Sequence, residues 1–375
     1  MREYLTVFLV AAVITYLLGV VAREIALRTG AVAKVRDRDV HAVPIPYFGG
    51  VAMLGGLGAA FLVARKLPFL SLSEDPIFHD ATIVLLGGAM ICLLGVLDDL
   101  FELDALTKLG GQVLAAGFLV LNQVRYYNFQ IPGRGQFSLD PTQAALLSVM
   151  VVVATVNAVN FVDGLDGLAA GVVAIGAVAF FVFAYKLADA NDETLAITAA
   201  LLCAALGGAC VGFLPHNFFP ARIFMGDSGS MLIGLVLSGS ALTLTGQFAT
   251  IDMTQGAGST QASLLPTLLP ILLPISILIV PFADLVLAVI RRTRAGRSPF
   301  AADKEHLHHR LLEIGHSHRR AVLIMWLWAG LIAFGGVFAS LYAGRVTTVL
   351  LAAWVVLTVV LTFVLPRVQR PSSPV

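Results

Sequence analysis

The sequence predicts an all-α, polytopic integral membrane protein with about eleven transmembrane helices, and three observations carry that prediction. Hydrophobic residues fill 58% of its 375 positions and charged residues only 13%, whereas soluble domains carry about a quarter charged residues. The mean hydropathy is +0.90, more apolar surface than one water-soluble core could hide. The apolar residues also come in runs of the ~20 that a helix needs to cross the hydrocarbon layer.

Eleven stretches have that character: 4–22, 47–64, 81–97, 107–124, 142–160, 165–185, 195–215, 228–247, 264–290, 321–343 and 346–365. The first is read as a span and not a cleaved leader, because no small-residue cleavage pattern follows it. The second and fourth are short and rich in glycine. The ninth holds Pro266, Pro270, Pro274 and Pro281. Such prolines are tolerated where neighbours satisfy the freed carbonyls, so this helix is expected to be kinked or broken. The reading is one domain over 1–365, with no internal repeat, and a disordered cytoplasmic tail over 366–375.

Orientation follows from the cationic loops. With the N-terminus outside, seventeen of the 24 Lys and Arg residues fall on the inner side and seven on the outer, and an odd number of spans puts the C-terminus in the cytoplasm. A net charge of +1 gives no footprint for nucleic acid. Cys92, Cys203 and Cys210 lie in apolar runs without metal-ligand spacing and read as buried small hydrophobes.

Against this background five polar segments stand out, each at the end of an apolar stretch and all on the inner face. The first is His41…Pro46-x-x-Gly49-Gly50. The second, Asp98-Asp99, could bind Mg²⁺ or act as a base, or could be an acidic interfacial turn continued by Glu102 and Asp104. The third is Asn157-x-x-Asn160-x-x-Asp163-Gly164-x-Asp166-Gly167. A spacing of three puts its first members on one helical face, and its Asp-Gly pairs suggest a tight turn. Polar groups at membrane depth are costly unless they bind something or hydrogen-bond a packing seam. The fourth, Phe224-Met225-Gly226-Asp227-Ser228-Gly229, precedes a helix. Free N–H groups there attract phosphate and Asp227 is a natural Mg²⁺ ligand, although Asp227 or Ser228 could simply cap the helix. The fifth is His306-x-His308-His309, in a loop that also holds Arg291, Arg292, Arg294 and Arg297; hydrogen bonding to phosphate suits it better than zinc binding, since no cysteine accompanies it. Asp284, seven residues before Arg291, reads as a structural ion-pair partner.

In order and spacing, from about residue 34 to 312, these segments resemble the polyprenyl-phosphate N-acetylhexosamine-1-phosphate transferases. The resemblance implies a transferase domain in the cell's inner (cytoplasmic) membrane, with its site on the cytoplasmic face. The implied reaction transfers GlcNAc-1-phosphate from UDP-GlcNAc to a polyprenyl (undecaprenyl or decaprenyl) phosphate, releasing UMP with Mg²⁺ or, alternatively, Mn²⁺. Asp227, Asp98 and Asp99 then resemble the metal-binding and catalytic acids. Asn160, Asp163 and Asp166 resemble the nucleotide and diphosphate lining, Asn217 and Phe224 the uracil contacts, and His306, His308 and His309 the histidine motif near the phosphates. The His-x-His-His pattern and His41 before the Pro-x-x-Gly-Gly look like the branch using UDP-GlcNAc; another UDP-HexNAc donor, such as UDP-MurNAc-pentapeptide, is the alternative, with a transporter as the competing class. Membrane lipids and a second copy of the chain complete the expected partners.

Overall fold

The computed structural model describes residues 1–32, 44–72, 75–131, 135–191, 194–245, 315–342 and 344–364, together with Thr293 and Leu311. The predicted stretch 264–290, Asp284, His41, His306, His308, His309 and the tail 366–375 lie outside the described residues. The other ten predicted stretches are helices: α1 (Arg2–Thr29), α2 (Gly49–Ala64), α4 (Asp75–Phe101), α5 (Ala105–Leu121), α6 (Pro141–Val162), α7 (Leu168–Asn191), α8 (Thr194–Asn217), α9 (Gly226–Thr245), α10 (His318–Leu341) and α11 (Arg345–Phe363). Eight of them are long and apolar enough to cross a membrane. The exceptions are α2 and α5, with 16 and 17 residues; at ~1.5 Å per residue they reach about 25 Å. This is a polytopic helical membrane protein.

Two small elements were not expected. The single-turn helix α3 (Pro68–Leu72) is held by Glu3, whose carboxylate accepts the N–H groups of Phe69 at 2.8 Å and Leu70 at 2.9 Å. Strands β1 (Asn128–Ile131) and β2 (Gly135–Ser138) form an antiparallel hairpin, with Phe129 opposite Phe137. Among the described residues this hairpin, with an isolated antiparallel bridge between Val32 and Pro46, departs from an all-helical chain.

Local sequence explains several helix ends. Gly30 stops α1 in the left-handed conformation, with φ 74° and its N–H on the Ala26 carbonyl, as helix C-termini often do. Asp140 and Gln143 form a reciprocal capping box at the start of α6 with Pro141 in the first turn, which satisfies N–H groups that have no helical partner. Asp104 caps α5 through the N–H groups of Leu106 and Thr107.

The centre of the bundle is α9, packed against α2, α4, α6, α7 and α8. Its small residues permit this, because helices in lipid associate through close backbone approach more than through greasiness. The hydroxyls of Ser230, Ser238 and Ser240 return to carbonyls four residues back, so their burial leaves no unmet hydrogen bond. On one flank α1 packs against α2 and α8; on another α7 meets α10, which carries α11.

Ten helix ends meet at one end of the bundle. The Arg23 guanidinium near the C-terminal end of α1 donates to the Arg222 carbonyl, and the Arg319 guanidinium on α10 donates to the Phe219 carbonyl. Gly49 and Gly50 at the start of α2 donate to the carbonyls of Phe224 and Met225. His316, just before α10, reaches the Thr362 carbonyl near the end of α11. The ends of α4, α6 and α8 and the starts of α5, α7 and α9 complete the group. Every described acidic segment singled out in the sequence lies here.

Candidate active site

Asp227, in the first turn of α9, is the hub. Its Oδ1 accepts a hydrogen bond of 2.7 Å from the Asn160 amide, which also donates to Ser230 Oγ at 2.9 Å. Its Oδ2 accepts from Lys108 Nζ. The same ammonium donates to Asp98 Oδ2 at 2.8 Å. Asp98 Oδ1 in turn accepts the Leu103 N–H at 2.8 Å, across a turn in which Glu102 sits at φ 51°. Four helices thus deliver Asp98, Lys108, Asn160 and Asp227 to one point. All four side chains are part-buried, which weakens the screening of their charges by water.

Asp99 turns elsewhere. Its Oδ1 accepts the Asp227 N–H at 2.8 Å and its Oδ2 the Ser228 N–H at 3.3 Å. Neighbours on a helix point about 100° apart, so an adjacent pair of carboxylates does not share a target. The Asp-Asp string reads as one unit in the sequence but splits in space. Asp98 joins the charged centre, whereas Asp99 supports the backbone beneath it. Neither Asp227 nor Ser228 is the N-cap of α9; that function is served from α4.

The turn between α6 and α7 and the loop between α8 and α9 form the rim. Asp163 closes α6 as its C-cap residue. Its side chain keeps some exposure, but protein crowds it. That desolvation, followed by the charges of Asp227, Asp99 and Asp166, pushes its carboxyl well above the usual carboxylate range. Asp166 is buried and accepts the Ala221 N–H at 2.9 Å. Asn217 is buried as well; it accepts the Gly167 N–H at 3.0 Å and donates to the Ile223 carbonyl at 3.1 Å. These two side chains tie the Asp-Gly turn to the loop that carries Phe224. Phe224 is half-buried beside Tyr47, with ring centroids 6.3 Å apart, and its backbone pairs with Pro46 and Gly49.

The structure therefore gathers Asp98, Asp99, Asn160, Asp163 and Asp227, sets Asp166, Asn217 and Phe224 on the adjoining rim, and adds a residue the sequence reading missed. Lys108 entered that reading only as a loop charge. Its signal was its position, a cation in the first turn of the helix that follows Asp98. Asn157, expected beside Asn160, faces away and exchanges hydrogen bonds with Gln112 on α5, at 2.6 Å and 3.3 Å. Among the described residues, no three His, Cys, Asp or Glu side chains are drawn together tightly enough to hold a metal ion; between Asp98 and Asp227 stands the ammonium of Lys108.

Residues 81–245 match the glycosyl transferase family 4 profile, a span that contains every site residue just described. Over 374 residues, 99% of this chain and 90% of the other, the sequence is 44% identical to the decaprenyl-phosphate N-acetylglucosaminephosphotransferase of Mycolicibacterium smegmatis. The chain belongs to glycosyl transferase family 4. It is a membrane transferase. More distant members include the undecaprenyl-phosphate alpha-N-acetylglucosaminyl 1-phosphate transferase of Salmonella typhi, 27% identical over 91% of this chain and 84% of that one. The phospho-N-acetylmuramoyl-pentapeptide-transferase of Desulforudis audaxviator is 32% identical over 84% of this chain and 92% of that one. The names of these relatives thus cover more than one transferred sugar group.

Proposed function

We propose that this protein transfers GlcNAc-1-phosphate from UDP-GlcNAc to a polyprenyl phosphate, giving the lipid diphospho-sugar and UMP. One observation carries the reading: Asp98, Lys108, Asn160 and Asp227 converge from four helices at one end of a membrane bundle, in a chain 44% identical to a decaprenyl-phosphate N-acetylglucosaminephosphotransferase along nearly its whole length. An oxygen of the lipid phosphate attacks the sugar-bearing phosphorus. As that P–O bond forms, the bond to the UMP oxygen breaks and its electrons leave with UMP. Such transfers depend on positioning and on neutralising negative charge.

The site meets those needs in part by itself. Lys108 brings a cation to the point where the phosphates would gather, and Asp98 and Asp227 keep its ammonium aimed. The lipid phosphate is already mostly ionised near pH 7, so Asp98 need not remove a proton; holding Lys108 is role enough. Phe224 offers a face on which uracil stacks. Mg²⁺, or Mn²⁺ in its place, fits the chemistry of the donors present: Asp98 and Asp227 supply hard carboxylate oxygens. Burial first, and then the charges of Asp227, Asp99 and Asp166, raise the Asp163 carboxyl, and a divalent ion would offset only the part due to charge. When bound, the ion would neutralise charge on the transferring diphosphate.

The same reading sets the site on the cytoplasmic face of the cell membrane, where a lipid nucleophile and a cytosolic nucleotide sugar can meet. It keeps the N-terminus outside. In support, α9 leaves the site end and α10 begins at it, so an odd number of crossings between them suits the predicted stretch 264–290. The test is UMP release by the purified protein from UDP-GlcNAc, decaprenyl phosphate and Mg²⁺. Release that needs all three is the expected result; none with any UDP-HexNAc would sink the transferase reading.

A further inference from the structure

We infer that Asp99 is a positioning residue for Asp227, acting as the N-terminal cap of α9 supplied by another helix, and is neither a metal ligand nor a base. This rests on the proposed role of Asp227. The first four N–H groups of a helix have no partner within it, and they are usually met by a Ser, Thr, Asp or Asn just before the helix. Here the residues in front of α9 are Phe224 and Met225, which offer no such side chain. The Asp99 carboxylate fills the gap with both oxygens, one on the Asp227 N–H and one on the Ser228 N–H.

Two glycines make the arrangement possible. Gly226 lies at φ 69°, and a Cβ there would run into the Asp99 carboxylate, with Cγ 2.8 Å away. Left-handed backbone favours glycine in any case. Gly95, one turn before Asp99, lets α4 press on the start of α9: a Cβ at that position would collide with the Asp227 and Ser228 backbone. A carboxylate on helix N–H groups also suits the positive end of the helix dipole. Asp99 thereby fixes the backbone from which the Asp227 side chain reaches Lys108 and Asn160. Its own oxygens both face the start of α9, whereas Asp98 gives one oxygen to the ammonium and the other to the Leu103 N–H.

The experiment compares Asp99→Asn, Asp99→Ala and Gly226→Ala in the full-length protein in lipid nanodiscs. Asparagine keeps an acceptor for the Asp227 N–H, so Asp99→Asn should hold kcat within about tenfold of the unaltered protein, the cost of one weakened hydrogen bond. Asp99→Ala should lose about 100-fold in kcat, as expected when a reacting group is misplaced, with KM for UDP-GlcNAc little changed. Gly226→Ala, which leaves Asp99 in place but crowds it, should match Asp99→Ala. The double variant should be no worse than either, because both break one contact. The acid limb of the pH–rate profile should persist in Asp99→Asn. A folded Asp99→Asn as inactive as Asp99→Ala, or one that lost that limb, would overturn the proposal in favour of a ligand or base. Hydrogen exchange supplies an arm that needs no turnover: Asp99→Ala should expose the peptide over 224–231 and Asp99→Asn much less, and unchanged protection in Asp99→Ala would equally overturn it. An unaltered protein inactive with every UDP-HexNAc, but with this exchange pattern intact, would remove the transferase reading and leave the cap standing.

Discussion

Helices α9 and α11 are nearly equal in length, 20 and 19 residues, yet they occupy opposite extremes of the molecule. In α9, 94% of the spanning window is buried, against 11% in α11, and the buried helix is the less greasy of the two, with mean hydropathy 1.3 against 2.4. In a water-soluble protein that order would be reversed. Here the solvent is hydrocarbon: a helix facing lipid must be apolar, and only one enclosed by protein can carry serine, glycine and aspartate. Asp227, the hub of the candidate site, therefore starts the helix with the lowest mean hydropathy among the described spanning helices.

That contrast can be broken at either end. The largest effect is expected from Asp227→Asn, which should cut kcat on the order of 10³-fold, as loss of a principal electrostatic group does, while the folded protein elutes unchanged in size-exclusion chromatography. Next is Lys108→Met, for which kcat/KM should fall about 100-fold, equivalent to ~2.7 kcal/mol; unaltered kinetics would return Lys108 to the status of a loop charge. Within the packing of α9, Gly234→Leu should cost about 1–3 kcal/mol through overpacking, because even a Cβ there comes within 2.9 Å of Val156 Cα; the measurement is the thermal midpoint in detergent. Phe224→Ala should raise KM for UDP-GlcNAc roughly tenfold, at the low end of what base stacking is worth, with kcat little changed. On α11, Leu350 is 65% exposed, and Leu350→Ala should alter neither midpoint nor activity, since lipid replaces lost side-chain contact almost in kind.

The fold was legible because a bilayer imposes one length and one composition on each crossing. Hydropathy found all ten described long helices, with ends shifted by a few residues. It passed over α3 and the β1–β2 hairpin, which are too short to leave a periodic signal. The site was legible where a residue's chemistry is out of place among apolar neighbours, as with Asp98, Asn160 and Asp227. It was not legible where the answer depends on which way a helix is turned. The split between Asp98 and Asp99, the turning of Asn157 toward Gln112 and the arrival of Lys108 between two carboxylates all follow from rotation about helix axes, which packing sets. Asn217 illustrates a different limit: its type fits a base contact, but nothing in the sequence shows that its amide also holds the Gly167 N–H and the Ile223 carbonyl.

The pairing of α1 with α8 bears on biosynthesis. The His216 ring hydrogen-bonds the Tyr16 carbonyl and Arg23 the Arg222 carbonyl, contacts that join residues about two hundred positions apart. A ribosome delivers α1 to the membrane long before α8 exists. The seam on α1 that will hold α8, built around Phe8, Ala12 and Gly19, must wait in lipid or against a temporary escort while five further membrane helices are inserted. Long-range partners delay the burial of such surfaces, so the seam stays without its native cover from the arrival of the first helix to that of the eighth.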